Sequence, residues 1–156
     1  MKTLVIYDSV FGNTEKIAKA IGERSGAKVV QVSAVKSEDL AGVELLLVGS
    51  PTRGFRPTDG MKKFLKDLSS GILKGVGVGG FDTRMDVDEV DNKVLIFMEK
   101  IFGYAAEPIA KTLVQKGGRQ VIPPAGFIVK ASEGPLRDGE LERAREWGKE
   151  ALKNVG

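Results

Sequence analysis

The sequence has no cysteine and no histidine among its 156 residues. Without cysteine there is no disulfide, no thiolate nucleophile, no iron–sulfur cluster and no cysteine-based zinc site. Without histidine, imidazole ligation and every histidine-dependent triad disappear as well. Aromatic residues are scarce at 6%, with a single Trp. Long hydrophobic runs are missing too: the apolar stretch nearest the amino terminus, 4–7, is too short for a signal-peptide core or a membrane span. A cytoplasmic protein with no membrane span is the expectation. Nor is there an excess of one charge. The formal net charge is +3, with Lys and Arg spread along amphipathic segments, which reads as solvated helix faces and not as a nucleic-acid footprint. Side chains of this repertoire are poor electron carriers, so redox chemistry would need a bound cofactor.

The length and the 42% hydrophobic content suit one soluble domain spanning 1–156. Short apolar runs at 3–7, 29–32, 44–48, 76–81 and 127–129 alternate with longer helix-patterned stretches. Runs of this kind fit strands buried on both faces of a parallel sheet. Thr14, Ile17, Ala18, Ile21 and Ser25 define a first helix, and a single turn over 37–40 fills the short crossover between strands two and three. Met61, Phe64, Leu65 and Leu68 form a helical stripe behind a Thr58 or Asp59 cap. The stretch 88–102 also has helical spacing, and Pro108 argues for a fresh helix start before Ile109. The last helix opens near Asp138 with Leu141, Ala144, Trp147 and Ala151 on one face. This βαβ alternation predicts an α/β, doubly wound sheet of five parallel strands, order 2-1-3-4-5, with helices on both faces.

The first strand turns into the first helix through Ser9-Val10-Phe11-Gly12-Asn13-Thr14-Glu15. A phosphate there would meet free backbone N–H groups and the positive helix end, with hydroxyl and amide side chains alongside. The turn lacks the Gly-x-x-x-x-Gly-Lys spacing of a triphosphate loop, so one terminal monophosphate fits better. As a bare turn, the same residues also suit helix capping. The stretch resembles the FMN phosphate loop of flavodoxins, Ser/Thr-x-x-Gly-x-Thr followed by Glu. Gly49-Ser50 leads into Pro51, Thr52, Arg53, Gly54 and Phe55, which resembles the flavodoxin loop along one side of the isoalloxazine ring. Phe81, Asp82, Thr83 and Arg84 end the fourth strand in the position of the loop covering the other side. The carboxyl-terminal Glu133-Gly134-Pro135-Leu136-Arg137-Asp138-Gly139 is similar to the end of small flavodoxin-like proteins. The resemblance implies noncovalent FMN, an electron-transfer role and redox partner proteins, with no catalytic acid or base and no metal.

The chain departs from that pattern in two places. Flavodoxins commonly stack Trp or Tyr on the ring, whereas Phe55 is the only aromatic in the third-strand loop and none follows Phe81 closely. The segment 85–102 is longer and more apolar than the family's usual cover; closure over the flavin, a partner contact and a dimer contact all remain open. Gly75-Val76-Gly77-Val78-Gly79-Gly80 satisfies Gly-x-Gly-x-x-Gly formally but lies within a predicted strand, so small residues for close packing explain it better than a dinucleotide fingerprint. The alternatives to a carrier are an FMN-dependent reductase of quinones or nitro compounds and a non-redox module that binds nucleotide monophosphates. Arg53 and Arg84 flank the expected ring and would stabilise a reduced, anionic flavin, unless Asp82, Asp86, Asp88 or Glu89 pairs with Arg84.

Overall fold

The computed structural model describes residues 1–86, 93–94 and 103–155. Its six-stranded sheet comprises β1 (Thr3–Tyr7), β2 (Lys28–Gln31), β3 (Leu45–Pro51), β4 (Gly77–Met85), β5 (Arg119–Gln120) and β6 (Ala125–Val129). The order is β2-β1-β3-β4-β5, and β6 also pairs with β4; every pairing is parallel. The helices are α1 (Asn13–Glu23), α2 (Ser37–Leu40), α3 (Asp59–Asp67), α4 (Ala106–Gln115) and α5 (Glu140–Val155). The helical expectation over 88–102, with Val90, Val94, Phe97 and Ile101, lies outside the described residues except at 93–94, which are helical.

The sheet is sealed on both faces, which is why its central strands read as unbroken apolar runs. Leu4 and Ile6 of β1 pack with Met61 and Leu65 of α3 and Ile109 and Leu113 of α4. Val5 and Tyr7 point the other way, against Ile17 and Ile21 of α1 and Ala144 of α5. Each fully buried Leu or Ile contributes roughly 1.5–3 kcal/mol, so this two-sided core dominates stability. Gly80 lets α4 sit close on the sheet: a Cβ there would lie 2.7 Å from the Ala106 carbonyl and 3.0 Å from the Ala110 nitrogen.

Four features differ from the sequence reading. The fifth strand is split, with β5 against Gly77–Val78 and β6 against Phe81–Met85. Pro123 and Pro124 lie between the two pieces and have no N–H to donate to a ladder. Strands β3 and β4 run past their apolar stretches, so Phe81, Asp82, Thr83 and Arg84 are strand residues and not a loop; pairing with β3 on one side and β6 on the other holds them extended. Helix α4 begins two residues before Pro108, whose missing N–H has no intrahelical acceptor in a first turn anyway. Leu141, expected on the buried face of α5, is exposed.

Candidate functional site

Strand β1 delivers the chain to Asp8, whose carboxylate accepts the Ser9 N–H at 2.8 Å, the Gln31 amide at 3.1 Å and the Thr58 hydroxyl at 2.5 Å. Asp8 therefore ties the end of β1 to β2 and to the residue that caps α3. Ser9 Oγ accepts the Gly12 N–H at 3.0 Å and closes a tight turn. Gly12 then adopts φ of +93°. A Cβ there would meet nothing within 4 Å, so the glycine is required for its backbone conformation, which costs other L-residues about 1–2 kcal/mol. Helix α1 starts directly afterwards with no side-chain cap. The N–H groups of Val10, Phe11, Asn13, Thr14 and Glu15 have no protein acceptor among the described residues. Together with the helix dipole they form an anion-seeking turn.

Neighbouring elements hold this turn in place. The Thr14 and Thr83 hydroxyls, both buried, share a hydrogen bond of 2.7 Å and join the turn to β4. The Asn13 amide donates to the Glu133 carbonyl at 3.0 Å and draws the loop after β6 alongside. After β3, the backbones of Arg53 and Arg56 exchange hydrogen bonds of 2.7 and 3.1 Å. Between them Gly54 has φ of +56° and Phe55 φ of +66°, the geometry of a type I′ turn, where glycine normally fills the second position. A phenylalanine held in this sparsely populated conformation is the kind of strain that functional sites carry. The Arg53 guanidinium lies 5.6 Å from the Phe11 ring centroid and bridges the first and third strand loops.

At the end of β4 the Asp82 carboxylate is fully buried. It accepts Arg84 Nε and Nη2 at 2.7 Å each and the Ala106 N–H at 2.9 Å. Burial pushes the Asp82 carboxyl up from the ordinary carboxylate range, and Arg84 and the Ala106 N–H pull in the opposite direction. Arg84 also lies 3.7 Å from the centroid of the Tyr104 ring. Its charge is thus compensated by Asp82, whereas Arg53 has no ion-pair partner among the described residues.

The ends of β1, β3 and β4 converge on one cleft, at the switch point of the strand order where open α/β sheets bind ligands. Ser9, Val10, Phe11, Asn13, Thr14, Pro51, Thr52, Arg53, Thr83 and Arg84 line it, as do Met85, Val129 and Ser132. The cleft is open to solvent, with about 460 Å³ of empty space counted out to its mouth. Gly12 and Gly54 shape its turns through their backbones. Phe55 faces an adjoining groove. Phe81 is fully buried in the core, edge-on to Trp147 at 5.8 Å and Phe127 at 6.5 Å, and Asp82 is buried in its pairing with Arg84. Neither lines the cleft. Met85, Val129 and Ser132 were not among the expected site residues, although Met85 opens the 85–102 segment for which closure over the flavin was one expectation. The hint of Ser132 in the sequence was the loop around Glu133, and its contact with Asn13 is a tertiary event.

Among the described residues no group of acidic side chains could hold a metal ion, and no helix is long and apolar enough to cross a membrane. A flavodoxin from Clostridium saccharobutylicum is 26% identical over 99% of this chain and 98% of its own length. A flavodoxin structure from the domain Archaea superposes with a TM-score of 0.75 at 23% identity, covering 99% of both chains. Oxidised Flavodoxin 1 from Bacillus cereus also gives 0.75, at 18% identity over 98% of both. The profile of the Flavodoxin domain matches residues 4–116, and the chain belongs to the flavodoxin family.

Proposed function

We propose that the chain binds FMN noncovalently in this cleft and carries electrons between partner proteins. The observation that supports this most is the uncapped β1–α1 turn, with its unpartnered N–H groups, opening into a cleft bordered by the ends of β3 and β4. These residues fit a flavin mononucleotide. The turn offers backbone donors and the hydroxyls of Ser9 and Thr14 to a single phosphate, and among the described residues no Lys lines the cleft to serve a longer polyphosphate. The part bordered by Pro51, Thr52 and Arg53 on one side and Thr83, Arg84 and Met85 on the other would receive the ring. Bound FMN would supply one- and two-electron redox chemistry that the side chains of this protein lack. The protein's part is to hold the phosphate, to fix the ring between two loops, and to set the charge around it through Arg53 and the Asp82–Arg84 pair.

The test is direct. Purified protein titrated with FMN should quench flavin fluorescence at a one-to-one ratio and take on a bound-flavin absorbance spectrum. A protein that stays colourless in excess FMN would overturn the reading.

A further inference from the structure

Beyond the cleft, on the other side of the Arg53–Arg56 turn, runs an open groove lined by Phe55, Arg56, Pro57, Lys62, Leu65 and Lys66, with Pro108 of α4 across from them. Its floor is apolar, since Pro57 and Leu65 are buried, and its rim is cationic, since Arg56, Lys62 and Lys66 are exposed. Among the described residues no carboxylate lines it. Glu107, the acid next to Pro108, lines a separate concavity of α4. Lys62 pairs with Asp59 at 3.1 Å, but the Asp59 side chain is fully exposed, and such surface pairs contribute about 0–1 kcal/mol. Arg56 and Lys66 have no ion-pair partner among the described residues. Lys62 and Lys66 also stand one turn apart on α3, a like-charge spacing that costs a helix a few tenths of a kcal/mol in isolation. Helix stability therefore does not account for this spacing.

We propose that this groove docks the carboxylate-rich surface of a redox partner protein, an inference that rests on the FMN reading of the neighbouring cleft. The turn carrying Arg53 into the cleft carries Phe55 and Arg56 into the groove, so a protein seated here lies beside the ring edge. A cationic rim around an apolar floor is the arrangement of a protein–protein interface. Among the described residues the groove has no buried polar side chain to grip a small anion, and three cations are few for a nucleic-acid backbone.

Two acceptors that share a haem and differ in charge test the proposal: cytochrome c, which is basic, and cytochrome c with its lysines succinylated, which is acidic. FMN-loaded, chemically reduced protein is mixed with each in a stopped-flow instrument. At low ionic strength the succinylated acceptor should be reduced about tenfold faster, with an advantage that fades as salt is added. The double variant K62E and K66E should reverse the preference while FMN titration stays unchanged. Faster reduction of the basic acceptor by the native protein overturns the docking proposal, as does a double variant that keeps the native preference. Equal rates for both acceptors with salt-sensitive binding of a DNA duplex also overturn it, in favour of nucleic acid. Docking is also read without flavin, from amide chemical-shift changes over residues 54–66 on adding the succinylated protein. If FMN fails to bind and those shifts persist, only the flavin reading falls; if FMN binds and the shifts are absent, only the docking proposal falls.

Discussion

Replacing Gly126 with alanine should unseat the Arg84–Asp82 pair. A Cβ built on Gly126 collides with Arg84 Nε and Cζ. A flexible side chain could normally step aside at little cost, but this one is held by two hydrogen bonds of 2.7 Å to Asp82 and by the Tyr104 ring. Moving it strands a fully buried carboxylate whose remaining donor among the described residues is the Ala106 N–H at 2.9 Å. Breaking one side of a buried ion pair costs about 3–5 kcal/mol. Because Arg84 itself is partly exposed, at 21%, and the Ala106 bond survives, we expect about 2–4 kcal/mol. The measurement is urea unfolding at pH 7, followed by the fluorescence of Trp147, which packs against Phe81 and Phe127. The loss should also depend on pH in one direction. With Arg84 displaced, the burial of Asp82 is opposed mainly by the Ala106 N–H, and its folded pKa rises further above the unfolded value, so stability is retained in acid and lost as pH rises through the folded pKa. The deficit of the variant should therefore shrink on acidification. A loss below about 1 kcal/mol at pH 7, or a deficit that grows in acid, would refute this account of the clamp.

Three further outcomes are expected. Thr14→Ala should weaken FMN by about 10- to 100-fold, the equivalent of one charge-assisted hydrogen bond, and weaken riboflavin far less; Thr14→Ser should restore binding, and equal weakening of both ligands in a fluorescence titration would remove the phosphate from this turn. Arg53→Gln should lower the potential of the second flavin reduction step by tens of millivolts, since a tenfold change in a one-electron equilibrium is about 59 mV, while Arg84→Gln should shift it less because Asp82 already compensates that charge; a spectroelectrochemical titration that finds Arg53→Gln silent with FMN bound would contradict this. Glu140 is buried, which raises its pKa, but Arg143, the Ile128 N–H at 2.6 Å and Arg137 together hold its carboxyl below the ordinary range. Its stabilisation is therefore present above the unfolded pKa and lost as pH falls through the folded one, so Glu140→Gln should cost about 1.5–3 kcal/mol at pH 7 and converge with the native protein in acid unfolding curves.

The order of strands and the two-faced core were legible in the sequence because both arise from local periodicity. Apolar runs such as Leu45-Leu46-Leu47-Val48 must be covered on both sides, and alternating helices are the short way to cover them. The β1–α1 turn was legible for the same reason, since Ser9, Gly12 and Thr14 do their work within a few residues of one another. Contacts between distant segments left no local trace. Whether Phe81 faces the cleft or the core depends on β3 and β6 pairing along both edges of β4. Arg84 had several acidic neighbours in sequence, and its pairing was decided by the extended backbone of β4, which puts residues 82 and 84 on one face beside the glycine at 126. Ser132 reaches the cleft through the loop that Asn13 holds from far along the chain. The amino-acid pattern by itself determined which elements form and where a phosphate could be received, because those depend on short-range chemistry. Which charges are neutralised, which aromatic is buried and which cations stay free beside the cleft were decided only when the sheet assembled.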